Sequence, residues 1–470
     1  MGRDPAESFW WVYRDTRRMT RQGQAAVVQR QRDRLADLVG YAREHSVYYR
    51  NRYRELPARV EDPSLLPVTH KAELMAHFDA WVSDPAVTLD TVTAHLADPG
   101  RIGELINDRY LVTTTSGTSG TRGIFVLDDR YWAVATALMP VILRRWLTAT
   151  DLARIIARQG RFAQLIATGG HYVSYAANRR TQRRGRAGGQ LRVFSVHTPM
   201  DQLVPQLNEF DPALLWGYAS VVALLADEQA AGRLQIRPTL VICAAEGLPP
   251  AEYDKIADTF GCPVRNLYGS TESGYAAYGC THGWLHLLPG WTILEPVDDD
   301  YQPTPPGVQS HTVLLTNLAN RVQPVLRYDL GDSILIRPDR CLCGDPAPAI
   351  QVQGRAADVL TFPATNADQE STVQVAPLAF GSLVDRVPAV TTFQIVQTAP
   401  TRLRVRLDTT ADADPTLVRY RVLREIQGLL ASYHLGHVTV DLDSQPPHRA
   451  PGGKLRTVLP YRADLNEREP

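Results

Sequence analysis

No charge of one sign dominates this chain: 50 Lys+Arg face 50 Asp+Glu in 470 residues, a formal net charge of +0. The electrostatic footprint of a protein that binds nucleic acid by neutralising phosphates is missing, and the Arg clusters are local. Long apolar runs are missing too. The longest, Leu214 to Leu225 and Thr239 to Ala245, fall well short of the ~20 residues needed to cross a bilayer. The opening residues Met1-Gly2-Arg3-Asp4-Pro5-Ala6-Glu7 carry charge where an export signal needs an apolar core. These absences lead us to expect a cytoplasmic chain with neither a membrane nor a nucleic-acid partner. Cysteine is scarce and odd in number, at Cys243, Cys262, Cys280, Cys341 and Cys343. That count argues for thiols or a metal site over a disulfide framework. Internal repeats and long low-complexity tracts are also lacking. What remains is an ordinary apolar fraction of 44%, enough for a sizeable core divided among about two or three domains.

Local patterns set the organisation. From Gln22 to Arg54, apolar Val27, Val28, Leu35, Leu38, Val39 and Tyr41 recur at helical intervals, which predicts one amphipathic helix with Arg30, Arg32 and Arg34 facing water. In the middle of the chain, the strand-like runs Leu165 to Thr168, Leu191 to Val196, Ala213 to Trp216 and Leu240 to Ala244 alternate with helix-like runs. Ser220 to Gln229 and Pro250 to Phe260 are two of these helices. Such alternation favours an α/β fold with a largely parallel sheet. Beyond Arg355 the texture changes to alternating strands at Thr391 to Gln397 and Thr401 to Asp408, a helix over Leu417 to Tyr433, and a strand at His437 to Asp441. This reads as a small C-terminal α+β unit of roughly 115 residues.

The sharpest segment is Thr113-Thr114-Thr115-Ser116-Gly117-Thr118-Ser119-Gly120-Thr121-Arg122-Gly123, directly after a short β-branched run. Glycines let backbone N–H groups turn inward and hydroxyls add neutral donors, so the loop suits phosphate oxygens. The Walker spacing is absent, and a plain flexible turn is the alternative for the loop taken alone. Further strings follow in order: Cys243-Ala244-Ala245-Glu246-Gly247, Tyr268-Gly269-Ser270-Thr271-Glu272-Ser273-Gly274, Leu326-Arg327-Tyr328-Asp329-Leu330-Gly331-Asp332, Gly354-Arg355-Ala356-Ala357-Asp358 and Gly452-Gly453-Lys454-Leu455-Arg456.

Taken together, this order resembles the adenylate-forming superfamily, and within it the phenylacetate–CoA ligase-like branch, over roughly Tyr110 to Arg456. The resemblance implies a large N-terminal domain (1–354) with parallel-rich sheets that binds ATP and substrate. It also implies a mobile C-terminal α+β domain (355–470) hinged at the Gly354-Arg355 string. Nucleotide contacts are implied for Thr115, Ser116, Gly117, Thr118, Ser119, Gly120, Ala245, Glu246, Gly247, Gly269 and Ser270. Tyr268 would lie on adenine, Asp332 would accept both ribose hydroxyls, and Arg355 would meet a nucleotide oxygen at the domain junction. Thr271 would reach the α-phosphate and Glu272 would hold Mg2+, an ion that prefers hard oxygen ligands. Lys454 would bridge carboxylate and α-phosphate and draw charge off the transition state.

The implied reaction activates a small, aromatic carboxylic acid with ATP as acyl-AMP and passes it to a thiol, CoA by default, or to an amine. Two other readings stand beside it. One is a diazotase that activates nitrite for an aryl amine; the other is a degenerate nucleotide-binding protein, against which Glu272 and Lys454 both argue. The substrate would lie between the strands that precede Glu246 and Tyr268, walled by Trp216, Gly217, Tyr218, Gly169, Gly170 and His171. Core packing is the alternative for each of these alone, His171 above all.

Three departures from the family pattern stand out. Ala357 occupies the position of a carboxylate or Lys, and Arg122 stands where the phosphate loop usually has Lys. Leu360-Thr361-Phe362-Pro363-Ala364 replaces the glycine turn that shapes a pantetheine tunnel, which weighs against CoA. Separately, Cys280-Thr281-His282 and Cys341-Leu342-Cys343 offer three thiolates and one imidazole, the donor set of a structural zinc, with free thiols as the other reading. His286 and Cys262 are the alternates in that set, and similar Cys/His positions in relatives of this branch favour the metal.

Overall fold

The computed structural model describes residues 8–115, 123–183, 190–245, 247, 250–353, 360–364, 372–375, 377–384, 386–448 and 457–461. Strands β1 (Leu105–Ile106), β2 (Tyr110–Thr114) and β3 (Ile124–Leu127) form a small antiparallel sheet. The main sheet begins with β4 (Phe162–Ile166), β5 (Leu191–Ser195), β6 (Leu214–Tyr218), β7 (Leu240–Ala244) and β8 (Val264–Ser270), which run parallel in the order β5-β4-β6-β7-β8. Between them lie the helices Val173–Arg183, Met200–Phe210, Ala219–Ala230 and Pro250–Phe260.

Side chains alternate between the two faces of this sheet. Ala163, Leu165, Leu215, Val241 and Cys243 pack into one core with three of these helices. Leu214, Leu240, Ile242 and Leu267 pack into another beneath the helix Asp129–Trp146. Because both faces are covered, the parallel strands read as nearly continuous apolar runs.

The sheet then changes character. β9 (Gly274–Gly279) and β10 (Leu285–Leu287) continue it antiparallel. β11 (Thr292–Val297), β12 (Thr312–Asn317) and β13 (Tyr328–Asp329) form a separate three-stranded sheet, and β14 (Ser333–Ile336) and β15 (Ala349–Gln353) complete the nine-stranded one. Only its first half is parallel. The turns after β8 and β9 are three to a few residues long, and so short a link can join only antiparallel neighbours.

The segment 360–461 builds its own core from Leu360, Phe362, Phe380, Phe393, Val405, Ile426 and their neighbours. Its strands are the pair β16 (Leu360–Pro363) and β17 (Thr372–Val375), and a sheet of β18 (Val390–Ala399), β19 (Arg402–Thr409), β20 (Thr439–Asp443) and β21 (Val458–Leu459). The helix Pro415–Ser432 packs on that sheet. Hydrogen bonds tie this segment to the residues that follow β4 and β5: Arg386 Nη1 donates to Thr168 O at 3.2 Å, and Tyr433 Oη lies within donating distance of Val196 O (3.3 Å) and Thr198 O (3.4 Å).

The long N-terminal helix is in fact two. Gln24–His45 ends at Ser46, whose hydroxyl accepts from the Tyr49 N–H and so caps a new helix, Val47–Arg52. A further helix, Phe9–Gln22, precedes them. Arg34 does not face water. It is 6% exposed, donates to Asp15 Oδ2 and Gly290 O at 2.5 Å each, and stacks 3.4 Å above the Trp291 ring. Burial lowers its pKa to about 9. The preceding helix supplies the counter-charge, which a single-helix pattern does not reveal. Among the described residues, no helix is long and apolar enough to cross a membrane.

Candidate active site

Parallel strands present their C-terminal ends to one edge of a sheet, the usual position for a ligand in open α/β folds. At that edge β8 closes with Tyr268-Gly269-Ser270 and turns back through Thr271-Glu272-Ser273 into β9. The turn is held by reciprocal bonds: the Ser270 N–H donates to Ser273 Oγ and the Ser273 N–H to Ser270 Oγ, both at 3.2 Å. A Cβ on Gly269 would overlap the Gly274 carbonyl oxygen, and Gly274 sits at φ +69. Gly269→Ala should therefore cost about 1 to 3 kcal/mol or more in denaturant unfolding, the range for forced overpacking; a variant as stable as the parent would show that the strand ends can part.

Two distant strings meet at this turn. Tyr268 Oη donates to Asp332 Oδ2 at 3.0 Å, across 64 positions of sequence. Glu272 is 4% exposed, and Tyr328 Oη donates to its Oε1 at 3.3 Å. Burial together with the Glu272 charge raises the Tyr328 pKa well above its usual value, so the phenol stays a donor. The corner itself is pinned by Asn317 Nδ2 on the Glu272 carbonyl at 2.6 Å and by Tyr131 Oη on the Thr271 carbonyl at 3.4 Å. Among the described residues no Arg or Lys pairs with Glu272. A nearly buried carboxylate without a cation is costly, and hard oxygen donors of this kind suit Mg2+.

Tyr328, Asn317 and Tyr131 received no role from the sequence. Tyr328 lay inside a string already singled out, where its phenol beside an acidic motif was a usable signal. Asn317 and Tyr131 carried none, since each arrives from another element.

The hydroxyl-rich loop springs from β2 and returns into β3. Its mouth is closed by Thr115 N–H to Gly123 O and Gly123 N–H to Thr115 Oγ1, each 3.0 Å. The Thr114 N–H donates to His171 O at 2.8 Å, which joins this loop to the segment after β4. Ser116, Gly117, Thr118, Ser119 and Gly120 lie outside the described residues, as do Glu246, Arg355 and Lys454. Ala245, at the end of β7, takes the left-handed conformation (φ 67), uncommon for a residue with a Cβ, and is exposed together with Gly247.

The proposed walls divide. Trp216 stacks with Phe162 (ring centroids 6.1 Å apart) and meets Tyr275, just beyond the Glu272 turn, at 6.0 Å with the rings tilted by 45°. The Ala167 N–H donates to Tyr218 Oη at 3.2 Å. Gly217 points to the opposite, buried face, where a Cβ would touch Leu165 and Val222 at 3.1 Å, so its smallness serves core packing. Gly170 lies against the Tyr172 ring, 2.7 Å from where a Cβ would stand. His171 is 3% exposed with its ring edge-on to His95, a core histidine. Gly169 abuts Arg386 of the C-terminal segment.

The Cys/His set closes around a different imidazole from the one expected. Cys280, His286, Cys341 and Cys343 hold their ligand atoms within 4.8 Å of one another. Cys280 Sγ and Cys341 Sγ are 3.8 Å apart, and Cys343 Sγ is 3.2 Å from His286 Nε2. Tetrahedral zinc–sulfur bonds of about 2.3 Å place two sulfurs about 3.8 Å apart, whereas a disulfide requires about 2.05 Å. His286 Nδ1 lies 2.9 Å from Ala347 O, an arrangement that leaves Nε2 free to ligate.

His282 is corrected out of the set. The β9–β10 register pairs Tyr278 with His286, which turns His286 inward, while His282 stands exposed at the hairpin tip beside Gly283 at φ +72. Cys262 packs elsewhere in the core, where burial pushes its thiol up to about 12. Burial likewise raises Cys341, but the Cys343 N–H and contacts with Cys343, His286 and Cys280 outweigh it and bring the thiol to about 7. The donors present fit a structural zinc.

No family model matches the chain. A stretch of 154 residues, 31% of the chain, is 27% identical to Protein CapK of Staphylococcus aureus, and spans about a third (32%) of that curated relative. Among solved structures, 2-hydroxyisobutyryl-CoA ligase in complex with 2-HIB-AMP and CoA in the thioesterification state is similar over 99% of this chain and 95% of its own, with a TM-score of 0.57 at 20% identity. The same ligase in the postadenylation state with R3-HIB-AMP gives 0.51 at 18% identity, over 94% and 90%. The chain has the fold of these adenylate-forming ligases.

Proposed function

We propose that this protein is an ATP- and Mg2+-dependent ligase of the phenylacetate–CoA ligase-like branch. It would convert a small aromatic carboxylic acid into acyl-AMP and transfer the acyl group to a thiol, CoA by default, or to an amine. The observation that carries this reading is the meeting of the Tyr268–Glu272 turn with Tyr328 and Asp332, on a fold shared with a ligase whose complexes hold an acyl-AMP and CoA.

In this reading Tyr268 stacks on adenine and Asp332 takes the ribose hydroxyls. The Thr115–Gly120 loop, with Glu246 and Ala245–Gly247, cradles phosphates, Thr271 orients the α-phosphate, and Arg355 meets the nucleotide at the hinge. The acid lies beside Trp216, Tyr218 and Tyr275. A carboxylate oxygen attacks the α-phosphorus, the bond to pyrophosphate breaks and takes its electrons with the leaving group, and Lys454 stabilises the charge that develops. The acceptor sulfur or nitrogen then attacks the acyl carbonyl and AMP leaves, its proton balance closed by loss of the acceptor's S–H or N–H proton. Mg2+ held by Glu272 would neutralise phosphate charge when bound. Residues 1–354 form the binding body and 355–470 the mobile unit.

The strand β16 favours a second acceptor reading. Leu360 and Phe362 are buried core residues of the C-terminal segment, where the family has a glycine turn. An amine acceptor, or nitrite activation for an aryl amine, avoids the pantetheine tunnel.

The test is exchange of labelled pyrophosphate into ATP across a panel of arylcarboxylates, with AMP release measured with and without CoA. Acid-dependent exchange that Lys454→Ala lowers by orders of magnitude, each tenfold being ~1.4 kcal/mol, is the expected result. Exchange with nitrite alone would replace it by the diazotase reading, and nucleotide binding without AMP formation by the degenerate one.

A further inference from the structure

At the other end of β8 from the Glu272 turn, about 17 Å away at the strand rise of 3.3 to 3.4 Å per residue, a cleft of about 620 Å³ opens beside the Cys/His set. Arg17 and Arg21 reach it from the helix Phe9–Gln22, Arg144 and Arg145 from the end of the helix Asp129–Trp146, and Arg265 from β8. Asp345 is the acidic residue in the lining, and it is already engaged by Arg145 and by Tyr278 Oη. Among the described residues, no carboxylate pairs with Arg17, Arg21 or Arg144.

Five guanidinium groups against one carboxylate leave a formal surplus of four positive charges around a single concavity, of which a zinc held by three thiolates and one imidazole, net −1, would cancel one. Arg21, Arg144 and Arg145 occupy last turns of helices, where cations gain from the backbone dipole. That effect explains their helical positions, and the two helix ends, at roughly half a negative charge each, offset about one of the four. It does not explain Arg17 or Arg265, nor the convergence of all five on one space. A concave wall of one sign focuses the field, and planar guanidinium forks match phosphate oxygens two at a time. The size lies within the range of small-molecule sites.

We propose that this cleft binds a small soluble anion bearing two to three linked phosphate groups, at a site separate from the one assigned to ATP. The test is calorimetric titration with inorganic tripolyphosphate at low and moderate salt, comparing the parent with Arg21→Gln/Arg144→Gln. Both substituted side chains are exposed, and thermal unfolding checks that the fold is kept; Arg144→Gln alone serves if the pair unfolds. The parent should show a binding event that the pair weakens at least tenfold, the single variant about threefold, and rising salt further. Acid-dependent pyrophosphate exchange should be unchanged. Identical titration curves for parent and pair would overturn the proposal. So would sedimentation with phosphatidic acid vesicles, sensitive to the same substitutions, if tripolyphosphate does not bind; that result would make the surface a membrane contact.

Discussion

Changing Glu272 to glutamine is expected to lower acid-dependent pyrophosphate exchange by roughly two to three orders of magnitude, about 3 to 4 kcal/mol of transition-state stabilisation. Glutamine keeps the shape, and its amide oxygen can still accept the Tyr328 hydroxyl now 3.3 Å from Oε1. The Asn317 bond to the Glu272 carbonyl is a backbone contact and survives the change. What disappears is one negative charge in a nearly buried position. Folding should therefore hold or improve slightly, since an unpaired buried carboxylate is itself costly, while the Mg2+ concentration needed for half-maximal exchange rises. Tyr328→Phe gives the contrast: charge is kept and only its positioning donor is lost, so the fall in rate should be smaller. Unchanged exchange in Glu272→Gln would remove Glu272 from the chemistry and leave it a structural acid.

The second large effect concerns the Cys/His set. Purified protein should contain zinc in stoichiometric amount by elemental analysis, and Cys341→Ala should remove it with a loss of several kcal/mol, because metal binding at a structural site is folding free energy. The strands joined there make the expectation local. Cys280 follows β9, His286 lies on β10, and Cys341 and Cys343 lie between β14 and β15. Losing the metal should loosen that edge of the main sheet first, seen as early hydrogen exchange in 274–287 and 333–353. His286→Ala should lower zinc content as Cys341→Ala does, whereas His282→Ala and Cys262→Ala should leave it intact. Metal-free protein of undiminished stability, or zinc lost with His282 and kept without His286, would refute the assignment.

Lys454 shows how a motif can be read without its surroundings. It is one of three lysines in a chain whose other basic residues are arginines. A compact ammonium differs from a planar guanidinium in reach and hydration, so Lys454→Arg should not restore what Lys454→Ala removes.

Features legible from the residues were those set by local periodicity and by short-range chemistry. The strand predicted at Leu240 to Ala244 and the helix at Pro250 to Phe260 coincide with β7 and its following helix, because a buried parallel strand and an amphipathic helix each advertise their own repeat. The strings around Tyr268, Glu272 and Asp332 were likewise visible, since turns demand particular glycines and hydroxyls wherever they occur. Tertiary structure decided the rest. Whether His282 or His286 faces the thiols depends on the β9–β10 register, in which a shift of one residue reverses every side chain. Whether Arg34 meets water depends on Asp15 and Trp291, carried in by other segments. The partners of Glu272 come from positions 45 and 56 residues away. Contacts of that kind are selected by the packing of whole elements, and no repeat within a single segment encodes them.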